Sequence, residues 1–221
     1  MGKRNIRYSN MNIKLFIQQC FYPIYIRFWA ERFYKIKEGQ IIIDAGAYLG
    51  SFTLYVAKRV GKTGKVIAFE PDPNNFKILE SIIEKSGLQN IILIKKALGN
   101  VIKEVELESV NHFSSVVIKT FKNPIFKVQQ TTLDEEMKKL KIMKVHFIKM
   151  NIEGAEINAI KGAKQTLANV EHIAISCHAV NGKNTENEIN PLLRKFGLKT
   201  KVLKRRKIVF DLGHIDVYGY R

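Results

Sequence analysis

From residue 37 onward, short apolar runs rich in Ile and Val alternate with stretches whose apolar residues recur at helical spacing. Positions 41–44, 65–70 and 91–95 are compact runs of strand length, and the intervening 51–60 and 75–86 are amphipathic. The second of these helices is entered through Pro71-Asp72-Pro73-Asn74. The rhythm breaks over 101–130, where Val101, Val105 and Leu107, then Val116-Val117-Ile118, are set among polar residues; this segment reads as a β insertion or an irregular lid. A strand at 145–150, a helix at 155–167, a strand at 173–177 and a helix at 186–196 follow, and two strands, around 199–210 and at 215–220, close the chain. Strands separated by helices imply a mostly parallel sheet covered on both faces, so the predicted class is α/β, doubly wound and Rossmann-like. The closing pair has no helix between its members and predicts an antiparallel edge strand. Residues 11–34, apolar and aromatic with scattered Arg and Lys, predict helical segments broken near Pro23. The expected organisation is therefore a helical, basic extension over 1–36 and one domain over 37–221.

Composition narrows the class. With 221 residues, 46% hydrophobic and 26% charged, the chain has enough apolar matter for a sizeable core and excludes wholesale disorder. Cys20 and Cys177 are far apart and each in apolar surroundings, which leaves no disulfide framework or zinc spacing and suits a reducing, cytoplasmic compartment. The longest uncharged run near the start, 15–26, holds twelve residues including Pro23, short of the roughly 20 a spanning helix needs. Met1-Gly2 is not followed by Ser or Thr at position 6, so the myristoylation pattern fails. The charge is unusual: net +17, with eight Lys/Arg against one Glu over 1–37 and eight against no acid over 194–207. Basic ends on a nearly neutral centre suggest an anionic partner: nucleic acid, an anionic membrane surface or a phosphate-bearing substrate. A Lys-rich solubilising face is the plain alternative.

Candidate chemistry begins at Ile41-Ile42-Ile43-Asp44-Ala45-Gly46-Ala47-Tyr48-Leu49-Gly50, an apolar strand ending in an acid with two glycines four apart. A triphosphate is excluded: Gly61-Lys62-Thr63 follows the first helix instead of preceding it, and Val56 stands where a phosphate loop needs glycine. A dinucleotide fits better, since Glu70 ends the next strand twenty residues after Gly50, where a carboxylate meets a ribose diol. Yet the pattern is G-x-x-x-G, with bulky Tyr48 where a pyrophosphate needs close backbone approach and Asp44 adding like charge. S-adenosyl-L-methionine keeps the diol for Glu70, carries no phosphate, and presents an ammonium and a sulfonium to Asp44 and the Tyr48 ring. Gly46 and Gly50 then permit the turn and its approach to the ligand.

The chain resembles the FkbM family of S-adenosylmethionine-dependent methyltransferases over residues 37–180. The likeness is carried by that first motif, by Ala68-Phe69-Glu70-Pro71-Asp72-Pro73, Ala97-Leu98-Gly99-Asn100, Thr131-Thr132-Leu133-Asp134 and Lys161-Gly162-Ala163. It is narrowest at Phe147-Ile148-Lys149-Met150-Asn151-Ile152-Glu153-Gly154-Ala155-Glu156. The resemblance implies a class I methyltransferase fold and methylation of a hydroxyl oxygen on a sugar or natural-product scaffold. Two positions depart from the family pattern: Asn151 stands where an Asp is usual, and Ser176-Cys177-His178 where an acid-x-His is common.

Asp44, Gly46, Tyr48, Gly50, Glu70, Pro71, Asp72, Ala97 and Asn151 are thus the expected cofactor residues, and Glu153, His178 and Lys149 the candidates for catalysis, with no metal-ligand set. An alcohol acceptor must lose a proton, which calls for a base, and Glu153 or His178 is the preferred one. Glu153 is equally readable as an acid at a helix start, His178 as a structural histidine, and Lys149 as the partner of a nearby acid. Expected partners are a small-molecule or glycan acceptor, including one linked to a lipid phosphate, an anionic membrane surface at the periphery, and a second copy of the chain. RNA methylation is supported by the charge alone, because no RNA-binding module is present. A cofactor binder without turnover is the remaining alternative, suggested by Asn151 and Ser176.

Overall fold

The computed structural model describes residues 34–109, 123–180, 182–204 and 215–221. Residues 1–33 of the expected N-terminal extension, the tip of the 101–130 insertion with His112, and the basic triplet 205–207 lie outside the described residues. Among those described, no helix is long and apolar enough to cross a membrane.

The chain runs β1 (Ile41–Ala45), α1 (Ser51–Val60), β2 (Lys65–Phe69), α2 (Pro73–Ser86), β3 (Ile91–Ile94), β4 (Ala97–Leu98), β5 (Lys103–Glu108), β6 (Ile125–Thr131) and α3 (Leu133–Lys139). It continues with β7 (Val145–Met150), α4 (Glu156–Lys161), α5 (Lys164–Ala168), β8 (Val170–Cys177), a short hairpin β9 (Ala179–Val180) and β10 (Lys183–Asn184), α6 (Glu186–Lys195), β11 (Lys199–Lys204) and β12 (Ile215–Tyr220). The main sheet is ordered β3-β2-β1-β7-β8-β12-β11. β3, β2, β1, β7 and β8 pair in parallel, and β12 runs against both β8 and β11.

The expected antiparallel strand is therefore present but stands one place in from the edge. Burial explains the order. β12 is buried along Asp216, Val217, Tyr218 and Gly219, whereas β11 exposes Lys199, Lys201 and Lys204, and lysines on an outer strand discourage pairing with other chains.

Side chains alternate between the two faces, as strand geometry requires. Ile43, Ile67, Ile148, Ile173 and Val217 face one core, shared with α3 to α6 through Leu133, Ile160, Leu167 and Leu193. Ile42, Val66, Phe147 and Ala174 face the other, against Phe52, Val56 and Val60 of α1.

Two departures from the periodicity reading have local causes. The single helix expected over 155–167 is two short ones, broken at Gly162, where a Cβ would stand 2.1 Å from the carbonyl oxygen of Gly99. The helix α3 has too few turns for its period to register. Its signal is a cap instead: Thr132 accepts from Glu135 N (3.1 Å) and a Glu follows at the third position. Between β3 and α3 the chain forms a separate three-stranded sheet, ordered β4-β6-β5.

Candidate functional site

The chain winds from β1 through β3 on one side and resumes with β7 on the other, so β1 and β7 flank the topological switch of the sheet. Such a switch opens a crevice at the carboxyl ends of the strands. A cleft lies there, floored by the turn after β1.

Asp44 is fully buried and accepts from Thr53 Oγ1 (2.6 Å) and Lys149 Nζ (2.9 Å), and Lys149 Nζ also donates to Gly46 O (2.7 Å). The ammonium lies 6.0 Å from the Phe52 ring centroid as well. Lys149, a candidate for catalysis, is thus committed to holding the turn and does not line the cleft. The charge of Asp44 is met inside the protein before any cationic ligand arrives.

Gly46 and Tyr48 both take left-handed conformations, with φ of 82° and 52°. A Cβ on Gly46 would stand 2.0 Å from Asn151 O, so this glycine lets the turn lie against the residue that follows β7. Gly50 works elsewhere: it precedes α1, and a Cβ there would meet Leu79 of α2 at 2.2 Å. It does not line the cleft.

Glu70, at the end of β2, is buried, and its two oxygens each accept a backbone N–H, Oε2 from Tyr48 (2.7 Å) and Oε1 from Asp72 (3.0 Å). Burial pushes its carboxyl up to about 7, against the lowering effect of those two bonds. Each carboxylate oxygen has two lone pairs, so Glu70 keeps acceptor capacity toward the cleft that it lines. Asp72 turns away to cap α2, accepting from Asn74 N (2.8 Å) and Asn75 N (3.1 Å). Pro71, Ala97 and Asn151 line the cleft as expected positions. Asn75, Lys96, Leu98 and Leu107 line it too and were not anticipated. Leu107 comes from the small sheet, a contact that no local pattern announces.

Beyond Asn151 the chain turns through Glu153, another left-handed residue with φ of 51°. Among the described residues, only three other than glycine have positive φ, and two of them, Tyr48 and Glu153, line the cleft. Backbone held in so sparse a region is a feature of functional sites. Burial raises the Glu153 carboxyl above the ordinary range, opposed by nearby His178. His178 follows β8 and is buried, with Nε2 3.2 Å from Glu153 Oε2 and Nδ1 2.8 Å from Glu156 Oε1. Glu156 is fully buried at the start of α4, and the same oxygen accepts from Ile152 N and Gly154 N (3.2 and 3.3 Å). The two residues preferred as bases are thereby brought together, and Glu156 joins them. Ser176 donates to Asp216 (3.0 Å) on β12. Among the described residues, no group of three His, Cys, Asp or Glu side chains is arranged to hold a metal ion.

A family model described as the methyltransferase FkbM domain matches residues 44–200, well over half of the chain. The chain belongs to the FkbM methyltransferase family. Members of this family use S-adenosylmethionine, and the residues of the cleft suit it: a buried acceptor at Glu70 for a diol, and a turn with no phosphate cradle. Hexuronic acid methyltransferase AglP from Haloferax volcanii is 22% identical over 171 residues, covering 77% of this chain and 68% of that protein. Ribosomal RNA large subunit methyltransferase E from Wigglesworthia glossinidia brevipalpis is 33% identical over 75 residues, 32% of this chain and 37% of that protein. The chain thus spans little more than a third of the length of the RNA methyltransferase. Among solved structures, fibrillarin from Aeropyrum pernix, crystallised with S-adenosyl-L-methionine, superposes with a TM-score of 0.55 at 15% identity. That superposition covers 83% of this chain and 67% of that one. It places the fold among the class I methyltransferases.

Proposed function

We propose that this FkbM-family protein transfers the methyl group of S-adenosylmethionine to a hydroxyl oxygen of a saccharide or related small molecule. The observation that carries the reading is the acid-histidine-acid chain that starts at the cleft wall with Glu153 and runs through His178 to buried Glu156. Bound S-adenosylmethionine supplies an electrophilic methyl carbon on a sulfonium centre. What remains for the protein is to align the acceptor oxygen, where positioning is worth roughly 7–11 kcal/mol, and to take its proton. Glu153 lines the cleft, and its raised carboxyl makes it a stronger base than an ordinary acid side chain. The named activity of the Haloferax relative favours a sugar-type acceptor. Asp44, through Lys149, and Glu70 hold the turn on which the cofactor rests.

The test is a radiolabel assay with a panel of neutral saccharides, hexuronic acids and RNA. Label is expected in a saccharide fraction, stable to mild alkali, as a methyl ether is. Alkali-labile label would mean a carboxylate acceptor, which needs no base, and would overturn the hydroxyl reading. With the acceptor in hand, Glu153→Gln is expected to lower kcat roughly 10²-fold while cofactor affinity stays within about twofold. In the unaltered protein kcat should fall as pH drops through a point above the usual carboxylate range, since the base must be ionised. The RNA arm serves the second reading, supported by the net charge of +17 and the short match to the ribosomal RNA methyltransferase.

A further inference from the structure

Glu156 closes the narrowest of the family motifs, three residues beyond Glu153. Its surroundings restrict the protonation of its neighbour. Oε1 already accepts two backbone N–H groups, from Ile152 and Gly154, and an ionised carboxylate only accepts. His178 Nδ1, 2.8 Å from that same oxygen, must therefore carry a hydrogen and donate it. In a neutral imidazole the other nitrogen, Nε2, is then an acceptor, and it faces Glu153 Oε2 at 3.2 Å. A ring lone pair and a carboxylate oxygen at that separation repel unless one proton lies between them. The ring is further fixed through its own backbone, because Thr185 Oγ1 donates to His178 O (2.8 Å) and pins the strand end to the start of α6.

We infer that Glu156 is a positioning residue: by accepting Nδ1–H it fixes the His178 tautomer whose Nε2 faces Glu153, and so turns the Glu153–His178 contact into a seat for the proton leaving the acceptor. The inference rests on the hydroxyl-methylation reading. In the step it serves, the acceptor O–H bond breaks and an O–C bond forms. The electron pair of the C–S bond goes to sulfur, and the proton comes to rest between Glu153 Oε2 and His178 Nε2. Lys149 adds its field at Glu153, while Asp216 and Glu186 act with Glu156 on the thiol of Cys177, the residue before His178. Any measured ionisation of the pair carries those contributions too.

Nitrogen-15 NMR of the full chain labelled at histidine, with His178→Asn to assign the signal, reads the tautomer without any acceptor. The expected spectrum has Nδ1 protonated across pH 6 to 9, with the preference lost in Glu156→Leu, which has no acceptor oxygen. Nδ1 unprotonated in the unaltered protein, or retained as N–H in the variant, overturns the inference. With an acceptor from the saccharide panel, Glu156→Leu should lower kcat roughly 10²-fold, leave the KM for S-adenosylmethionine within about twofold, and displace the acid limb of the kcat profile. Full kcat in a folded variant overturns it as well. If the panel yields no acceptor, the hydroxyl reading fails and the two NMR spectra still decide the role of Glu156. If Glu156→Leu does not fold, the spectrum of the unaltered protein decides alone.

Discussion

Glu70 is held on one side by two backbone N–H donors and faces the cleft on the other. Its carboxyl is raised to about 7 because burial penalises the charge more than those donors relieve it. A group whose folded pKa lies above its unfolded value contributes stability that is fully present below the unfolded pKa, 4.5 for this residue, and is lost as pH rises through about 7. Ligand binding acts in the opposite sense. A diol donating to Glu70 favours the ionised form, so below about 7 binding must displace a proton, and affinity should fall by up to about tenfold per pH unit. Calorimetric titration of S-adenosylmethionine between pH 5.5 and 8 checks this, with Glu70→Gln expected to bind more weakly and to flatten the profile. An affinity constant over that range in the unaltered protein would remove Glu70 from the diol. That Glu70 lines the cleft was legible in the sequence, because its place needs only an acid at the end of the second strand. The commitment of Lys149 to Asp44 was open until β1 and β7 were seen side by side, since 105 residues separate the two.

Among elements, the family motifs that contain Gly99, Thr131 to Asp134 and Gly162 converge on one junction. Gly99 N donates to Thr131 O (2.9 Å), Asp134 N to Gly162 O (3.2 Å), and the Asp134 carboxylate accepts from Gln165 N, Thr166 N and Thr166 Oγ1 at 2.8–3.0 Å. Asp134 on α3 therefore serves the start of α5, from another element. Gly162 lets α4 end against Gly99, just after β4, whose Ala97 and Leu98 line the cleft. Gly162→Ala would drive a Cβ to 2.1 Å from Gly99 O, a backbone atom that cannot swing aside. A loss of about 2–3 kcal/mol is expected, measured by urea unfolding, with weaker cofactor binding from the displaced Ala97 wall. An unchanged midpoint would mean the junction yields freely. The sequence placed a helix across this break because the apolar period continues through Gly162; the close approach that ends it is long-range.

For the whole molecule, the alternation of faces produces two cores, and the field of the protein is set by its ends. Of the basic stretch 194–207, the described part puts Lys199, Lys201 and Lys204 on the outermost strand, all exposed. Exposed charges act through solvent and are screened by salt within about 8–10 Å at physiological ionic strength. The protein is expected to bind heparin, and Lys199→Gln, Lys201→Gln and Lys204→Gln together should elute at lower salt without a change in unfolding midpoint. Elution unchanged would assign the field to other residues.

The strand-helix order, the acid-ended strands and the turn after β1 were determined by the sequence itself, since each depends on neighbours a few residues away: β-branched runs, glycine's freedom at positive φ, a cap. The place of β12 inside β11, the break at Gly162, the Leu107 wall and the Glu153–His178–Glu156 chain were decided only by the tertiary structure. Each joins groups distant along the chain, and burial with hydrogen-bond demand, not local preference, selects which of them meet.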